Sequence, residues 1–544
     1  MINIFRNFII ILILSGLFPE NISAQKKFPG ADIITSTDLE SYVRFLASPL
    51  LNGRKNGEPG LDIAQEYIVS NVKLLGLKPL NGSGWLQPYQ VIKKGIDQEK
   101  SVIRITSDLN DTSSVSGNIY QFFPGDPEDI SIEGEVVFTG YGLNREKYSY
   151  NDFEGITTEG KILLVMTRSP TSEDGSKYLF EGDDWSNFRS YSIKLRSLLF
   201  SKAKAIMFVT DPKSGYTSFE EQEPGIASAI NSSMHLKGNE PPVFAHPGMM
   251  RILFVNRSVA DELLKGTGKT LASLQNSIDS KLKPESFLIP GKHIMIDLKT
   301  STTEITLNNI AAYIEGSDPV LKNEFIVYSG HADHIGGSGT KINYGADDNA
   351  SGCAALLSIA EAFQSLDKKP LRSIMFLWVS GEEIGLFGSE YYVSNPLVPL
   401  ENTVADLNMD MIGRVKGVAD STSDNPMSGP DEVFVITGNQ SRELVKIAED
   451  VDENSPLDFD YSLSGRNNPL QLFARSDHYN FVKKDIPVLF FTTGLHTDYH
   501  TPGDVVEKID FIKMEKITEA MFMIGYNVAN MKSRLKVNNP FSKW

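Results

Sequence analysis

The chain has 544 residues, 41% hydrophobic and 22% charged, with a formal net charge of −17. That length accommodates two or three domains and a large core. So acidic a surface argues against nucleic acid or an anionic membrane as the main partner, while it suits metal cations.

The first element is "MINIFRNFIIILILSGLFPENISAQKK". Arg6 precedes an apolar run from Phe8 to Leu14, and "ISA" offers a small-residue cleavage site after Ala24. This predicts a secretory signal peptide over 1–24, too short to span a membrane. The mature chain would be secreted or periplasmic in a bacterium, with no stable membrane insertion. Cys353 is the single cysteine, so no intrachain disulfide forms.

Two amphipathic helices follow in "TDLESYVRFLASPLLNGRKNGEPGLDIAQEYIVSNVKLLGLKPL", with Leu39, Val43, Leu46 and then Ala64, Tyr67, Ile68, Val72, Leu75 at helical spacing. Residues 115–290 change texture to short β-like runs such as "KILLVMT" and "AKAIMFVTD" with turn-rich spacers. "GTGKT" at 266–270 imitates the end of a phosphate-binding loop. The first glycine that loop requires is Leu263 here, so the segment reads as a turn between two helices. From about residue 301, apolar strands alternate with helices: "NNIAAYIEG", "NEFIVYSG", "SGCAALLSIAEAFQSL", "RSIMFLWVSG", "TVADLNMDMIG", "IPVLFFTTG". Such runs predict an α/β fold, a mostly parallel mixed sheet flanked by helices, carrying a smaller β-rich α/β insertion. The expected organisation is 1–24 signal peptide, 25–114 N-terminal part of the main domain, 115–290 insertion and 291–544 main domain. "VKGVADSTSDNPMSGPDE" is expected to be an exposed loop.

Ligands of open α/β sheets bind at the carboxyl ends of strands. His331 and Asp333 follow one predicted strand, and Asp347 and Asp348 open the next helix. Glu382 and Glu383 follow a second strand, Asp410 a third, and His496, Tyr499 and His500 a fourth. Of the 8 histidines, 5 fall between residues 331 and 500, which concentrates metal-binding groups at this rim. Imidazoles with carboxylates suit Zn²⁺ best. His331, Asp347, Glu383, Asp410 and His500 exceed what one ion needs, so two ions sharing a carboxylate are expected, roughly 3.5–4 Å apart. Glu382 and Glu383 point opposite ways on an extended segment, which lets one bind metal and the other act as general base. Asp333 is placed to accept the second ring N–H of His331. His334 and His478 are read as packed or surface histidines.

"SGHADHIG", "GADDNASG", "SGEEIGLFGS", "LNMDMIGR" and "YHTPGD" occur in that order. They resemble the signature segments of the co-catalytic di-zinc aminopeptidase family, which includes bacterial leucyl-type aminopeptidases and glutamate carboxypeptidases. "LNGRKNGEPG" and "LLGLKPL" resemble its N-terminal helices, and residues 115–290 resemble the inserted protease-associated domain of many members. The resemblance covers residues 35–100 and 301–530. It implies a zinc-exopeptidase-like fold, a peptide substrate and two Zn²⁺ ions. His331 and Asp410 would hold one ion, Glu383 and His500 the other, and Asp347 would bridge. It further implies Glu382 as the general base for a zinc-bound hydroxide, Asp333 orienting His331, Tyr499 stabilising the oxyanion, and a cis peptide at Asp347–Asp348. The expected activity is that of an aminopeptidase. Arg475 in "FARSDHYNF" keeps a carboxypeptidase or dipeptidase open, since such an enzyme needs a cation for the substrate carboxylate. A mono-zinc aminoacyl cyclotransferase and a non-catalytic, receptor-like binding protein are the further alternatives. A homodimer is compatible with all of them.

Overall fold

The structure is a computed structural model that describes residues 28–107, 111–116, 119–122, 127–183, 191–223, 227, 230, 232–240, 249–338, 341–422, 425–465, 468 and 470–543. The expected signal peptide lies outside the described residues. The chain divides into two compact units: Met1–Trp85, Ile310–Trp378 and Leu397–Trp544 form one, and Leu86–Asn309 with Val379–Pro396 the other.

The first unit is built on strands β1 (Thr300–Ile314, within this unit from Ile310), β2 (Phe325–His331), β3 (Ser373–Val379), β4 (Thr403–Met409), β5 (Glu432–Ile436), β6 (Asp458–Asp460) and β7 (Val488–Thr492). They lie in the order β1-β3-β2-β4-β7-β5-β6. β2, β4 and β7 run parallel, whereas β1 pairs antiparallel with β3 and β5 antiparallel with β7. Every residue of β2, β3, β4 and β7 is buried. Successive side chains on a strand point to opposite faces, so unbroken burial means that both faces are covered. The mixed α/β sheet expected from the apolar runs is present.

Helices α1 (Ser36–Leu46), α2 (Pro59–Leu74), α3 (Gly352–Ser365), α4 (Arg442–Asp452) and α5 (Phe511–Ala529) accompany the sheet. The Thr35 side chain caps α1 by accepting from the Asp38 N–H, and Leu39, Val43 and Leu46 turn inward at the predicted spacing. Pro59 opens α2, where a missing N–H costs nothing. α3 packs on β2, and α5 packs on α1, α3 and β2. A Cβ on Gly525 of α5 would sit 1.8 Å from the Tyr328 hydroxyl of β2, so only glycine allows that approach.

His478, in the short helix His478–Val482, is a packed histidine as expected. Its Nε2 lies 2.9 Å from the Phe473 carbonyl oxygen and its ring stacks on Phe490 at 4.6 Å. Burial pushes its pKa down to about 3. The unfolded chain therefore takes up a proton that the folded chain refuses, and stability falls as pH drops from about 6.5 toward the folded value. His478→Gln keeps a donor for Phe473 but cannot titrate. Urea midpoints at pH 7 and 4.5 should fall by less in this variant than in the wild type.

The second unit centres on an eight-stranded sheet in the order Thr112–Ser116, Val102–Ser107, Phe287–Leu298, Ile130–Phe138, Ile162–Met166, Ala205–Val209, Arg251–Phe254, Tyr120–Phe122. Its four strands from Ile130–Phe138 to Arg251–Phe254 are parallel and the outer pairings antiparallel. Alternate residues feed two cores: Ile162, Leu164 and Met166 enter one, Leu163 and Val165 the other. "GTGKT" forms the turn between helices Arg257–Leu264 and Leu271–Lys281, with Thr270 capping the latter.

Candidate metal centre

Four segments of the first unit bring imidazoles and carboxylates together beyond the ends of β2, β4 and β7. His331, the last residue of β2, is fully buried. Its Nδ1 lies 3.1 Å from the Asp333 backbone carbonyl, which can only accept, so Nδ1 carries the proton. The lone pair of Nε2 then faces Asp348 Oδ1 at 3.3 Å and Asp410 Oδ1 at 3.4 Å. The Asp333 carboxylate, expected to take the ring N–H, stands 3.8 Å from Nδ1 and instead accepts from Asn56 Nδ2 at 2.6 Å. Asp333 therefore orients His331 through its carbonyl. The Cys353 thiol donates to the His331 carbonyl at 3.0 Å, and burial pushes its pKa up to about 12.

Asp347 and Asp348 lie in the irregular turn Ala346–Ser351 that opens α3. The aspartate among the imidazoles is Asp348, not the expected Asp347. Asp348 Oδ1 faces His331, while Oδ2 stands 3.2 Å from His500 Nε2 and 3.6 Å from His334 Nδ1. Asp347 turns the other way: its Oδ1 accepts from the Gly413 N–H at 2.6 Å, and its Oδ2 lies 3.4 Å from His496 Nε2. The cis peptide is likewise one residue on, at Asp348–Asn349. Alternation along an extended chain has no force here, because the backbone is neither strand nor regular helix at these positions. The Asp504 carboxylate anchors the turn by accepting both the Asp347 and Asp348 N–H groups at 3.1 Å.

Asp410 follows β4 directly, and Ser476 hydrogen-bonds its carboxylate. His500 sits in the turn after β7 with φ 56°, and the Tyr499 ring stacks on it at 3.8 Å. That turn is tied down by Asp420, whose Oδ1 accepts the Thr497 N–H at 2.8 Å. The described part of the segment 415–432 is largely exposed, as expected, with Val418 91% exposed; Asp420 and Ser428 are buried where they bond to this turn and to Lys513. Burial opposes ionisation of both site aspartates. The imidazoles of His334, His331 and His500 outweigh it and hold Asp348 well below the usual carboxylate range, whereas burial wins at Asp410 and raises it.

Arg54 is a further residue of this centre. It lies in the loop between α1 and α2, 1% exposed and with φ 47°. Its guanidinium donates to the carbonyls of Leu46, Ala332 (2.9 Å), Tyr344 (2.9 Å), Gly345 (3.0 Å) and Asp348 (3.4 Å). It thereby ties the His331 loop to the Asp348 turn. A lone arginine in a glycine-rich stretch carries no periodicity that would reveal this.

The distances match a metal-ligand set. Two donors each about 2.0–2.1 Å from a tetrahedral ion are roughly 3.3 Å apart, whereas charge-assisted hydrogen bonds are about 2.7–2.9 Å. The His331–Asp348, His331–Asp410 and His500–Asp348 spacings of 3.3, 3.4 and 3.2 Å fall at the former value. Glu382 and Glu383 follow β3 in the loop Ser380–Leu386, which clusters with the second unit.

Residues 309–524 match the family model described as Peptidase family M28. A "Probable leucine aminopeptidase 2" from Trichophyton verrucosum (strain HKI 0517) is 24% identical over 302 residues, 49% of this chain and 56% of the relative. This chain thus spans little more than half the length of that curated relative. Among solved structures, an aminopeptidase from Aneurinibacillus sp. strain AM-1 aligns over 94% of this chain and 97% of its own, at 16% identity and a TM-score of 0.49. A zinc aminopeptidase from Bacillus subtilis aligns over 93% and 97%, at 17% identity and a TM-score of 0.48. The ordered motifs "SGHADHIG", "GADDNASG", "SGEEIGLFGS", "LNMDMIGR" and "YHTPGD" all fall within residues 309–524, the region that matches the Peptidase family M28 model.

Proposed function

We propose that the chain is a metal-dependent exopeptidase, an aminopeptidase that uses two Zn²⁺ ions. The observation that carries this reading is the Asp348 carboxylate, which turns one oxygen to His331 and the other to His500 at metal-ligand spacing. His331 and Asp410 would hold one ion, His500 the other, and Asp348 both. The motif "SGEEIGLFGS" assigns Glu383 to the His500 ion and Glu382 to proton transfer. Bound Zn²⁺ supplies Lewis-acid polarisation of the scissile carbonyl and a more acidic water.

The chain's own groups do the rest. Glu382 takes the proton from the attacking water and returns it to the leaving amine. The Tyr499 phenol, held by stacking on His500, donates to the oxyanion. The Asp333 carbonyl holds the proton of His331 on Nδ1, which turns the Nε2 lone pair toward Asp348 and Asp410, and the Cys353 thiol steadies the His331 backbone by donating to its carbonyl. Glu382→Gln should lower kcat by about 10²–10⁴-fold with both ions retained, as measured by metal analysis beside steady-state kinetics.

A carboxypeptidase is the second reading. Arg475 is exposed and precedes Ser476, which bonds Asp410 and Asn408, and its guanidinium is the group that would take the substrate carboxylate in that reading. Secretion is part of the proposal, supported by the leader pattern of Arg6 and Phe8–Leu14.

The test uses protein purified with zinc and short peptides, free or N-acetylated, with cleavage products read by mass spectrometry and a chelator control. Loss of single N-terminal residues from free peptides only, abolished by the chelator, is expected. Loss of C-terminal residues with acetylated peptides accepted would move the assignment to a carboxypeptidase and to Arg475. No cleavage in either case would overturn the exopeptidase reading.

A further inference from the structure

His334, read from the sequence as a packed or surface histidine, is buried, but its ring faces a carboxylate. It lies three residues beyond β2 and is 1% exposed. Its N–H donates to the Arg54 carbonyl at 3.1 Å, which fixes its backbone. The contrast with His478 is direct. His478 stacks on an aromatic ring and bonds a carbonyl, whereas His334 turns Nδ1 to Asp348 Oδ2 at 3.6 Å, the oxygen that also faces His500. Ligand atoms of His334, Asp348 and His500 all lie within 4.8 Å of one another. The His334 and His500 rings meet edge to face at 5.7 Å and 70°, so neither blocks the other's approach to a common point.

The backbone makes room for this ring. A Cβ on Gly345 would lie 2.7 Å from His334 Cγ and Cδ2 and 2.2 Å from the Asp348 carbonyl oxygen. Gly345 also has φ +60°, a conformation that side chains disfavour. Any other residue there would push the imidazole off the carboxylate.

We propose that His334 is a further nitrogen donor in the His500 half of the metal centre. This rests on the two-metal reading above. The half with His331 would then have one imidazole and the half with His500 two. Extra imidazole favours Zn²⁺, Cu²⁺ or Ni²⁺ over Mg²⁺ and Mn²⁺, so His334 would set both the retention and the selectivity of the second ion.

Metal-free wild type, His334→Ala and His334→Gln would be titrated with Zn²⁺ against a competing chelator, with circular dichroism confirming the fold. Two binding steps are expected for the wild type. Both variants should keep the tighter step and bind the second ion at least about 10–100-fold more weakly, the range that loss of a group supporting a ligand already produces. An unchanged second step in both variants would overturn the proposal. A second measurement needs no variant: the Co²⁺-substituted wild type should show hyperfine-shifted imidazole N–H signals from His331, His334 and His500. Signals from His331 and His500 alone would also overturn it. Failure of the wild type to bind any metal would instead overturn the metal-centre reading itself.

Discussion

Asp348→Asn is expected to weaken retention of one metal ion and to lower kcat/KM by at least about 10³-fold, well beyond the roughly 10–100-fold that follows loss of a group one shell out from a metal. The reason is geometric. The two carboxylate oxygens face His331 Nε2 and His500 Nε2 at 3.3 and 3.2 Å, and an amide leaves a non-coordinating NH₂ on one side. Asp347→Asn should cost far less, within about 10–100-fold, because its carboxylate supports the turn through the Gly413 N–H and His496. Chelator competition and steady-state kinetics on both variants measure the contrast. A larger loss for Asp347→Asn would return the bridge to that residue.

Arg54→Met is expected to lower folding stability by at least about 3 kcal/mol, because a buried carbonyl left without a donor costs about 1–3 kcal/mol and Arg54 serves several. The effect should not be only structural. Arg54 joins the Ala332 carbonyl to those of Tyr344, Gly345 and Asp348, so its loss frees the His331 loop from the Asp348 turn. Metal affinity of the folded fraction should drop about 10–100-fold, with Arg54→Lys intermediate because an ammonium has fewer donors and no fork. Urea melts would read the first effect and Zn²⁺ competition the second. An unchanged metal affinity would make Arg54 a purely structural residue.

Much of this was legible in the sequence for identifiable reasons. The apolar runs at 325–331, 373–379, 403–409 and 488–492 are buried on both faces, and that burial is what makes such runs readable as a parallel sheet. His331, Asp410 and His500 are legible because they end or follow those strands. The choice between Asp347 and Asp348 could not, since it depends on the backbone of the irregular turn Ala346–Ser351. Nor could the exchange of Asp333's carboxylate for its carbonyl, because both groups belong to one residue and only the loop path selects between them. His334 looked like a second histidine with no task, and its place beside Asp348 depends on Gly345 leaving room for it. Arg54 and Asn56 act across some 280 residues of chain, a separation at which local pattern carries no information.

The central claim is a metal pair shared by Asp348. Anomalous scattering at the zinc edge, from crystals of the protein grown with Zn²⁺, tests it most directly. Two peaks are predicted, one against His331 and Asp410 and the other against His500, with the Asp348 carboxylate between them. A single peak, or a pair of peaks that Asp348 does not touch, would contradict the account.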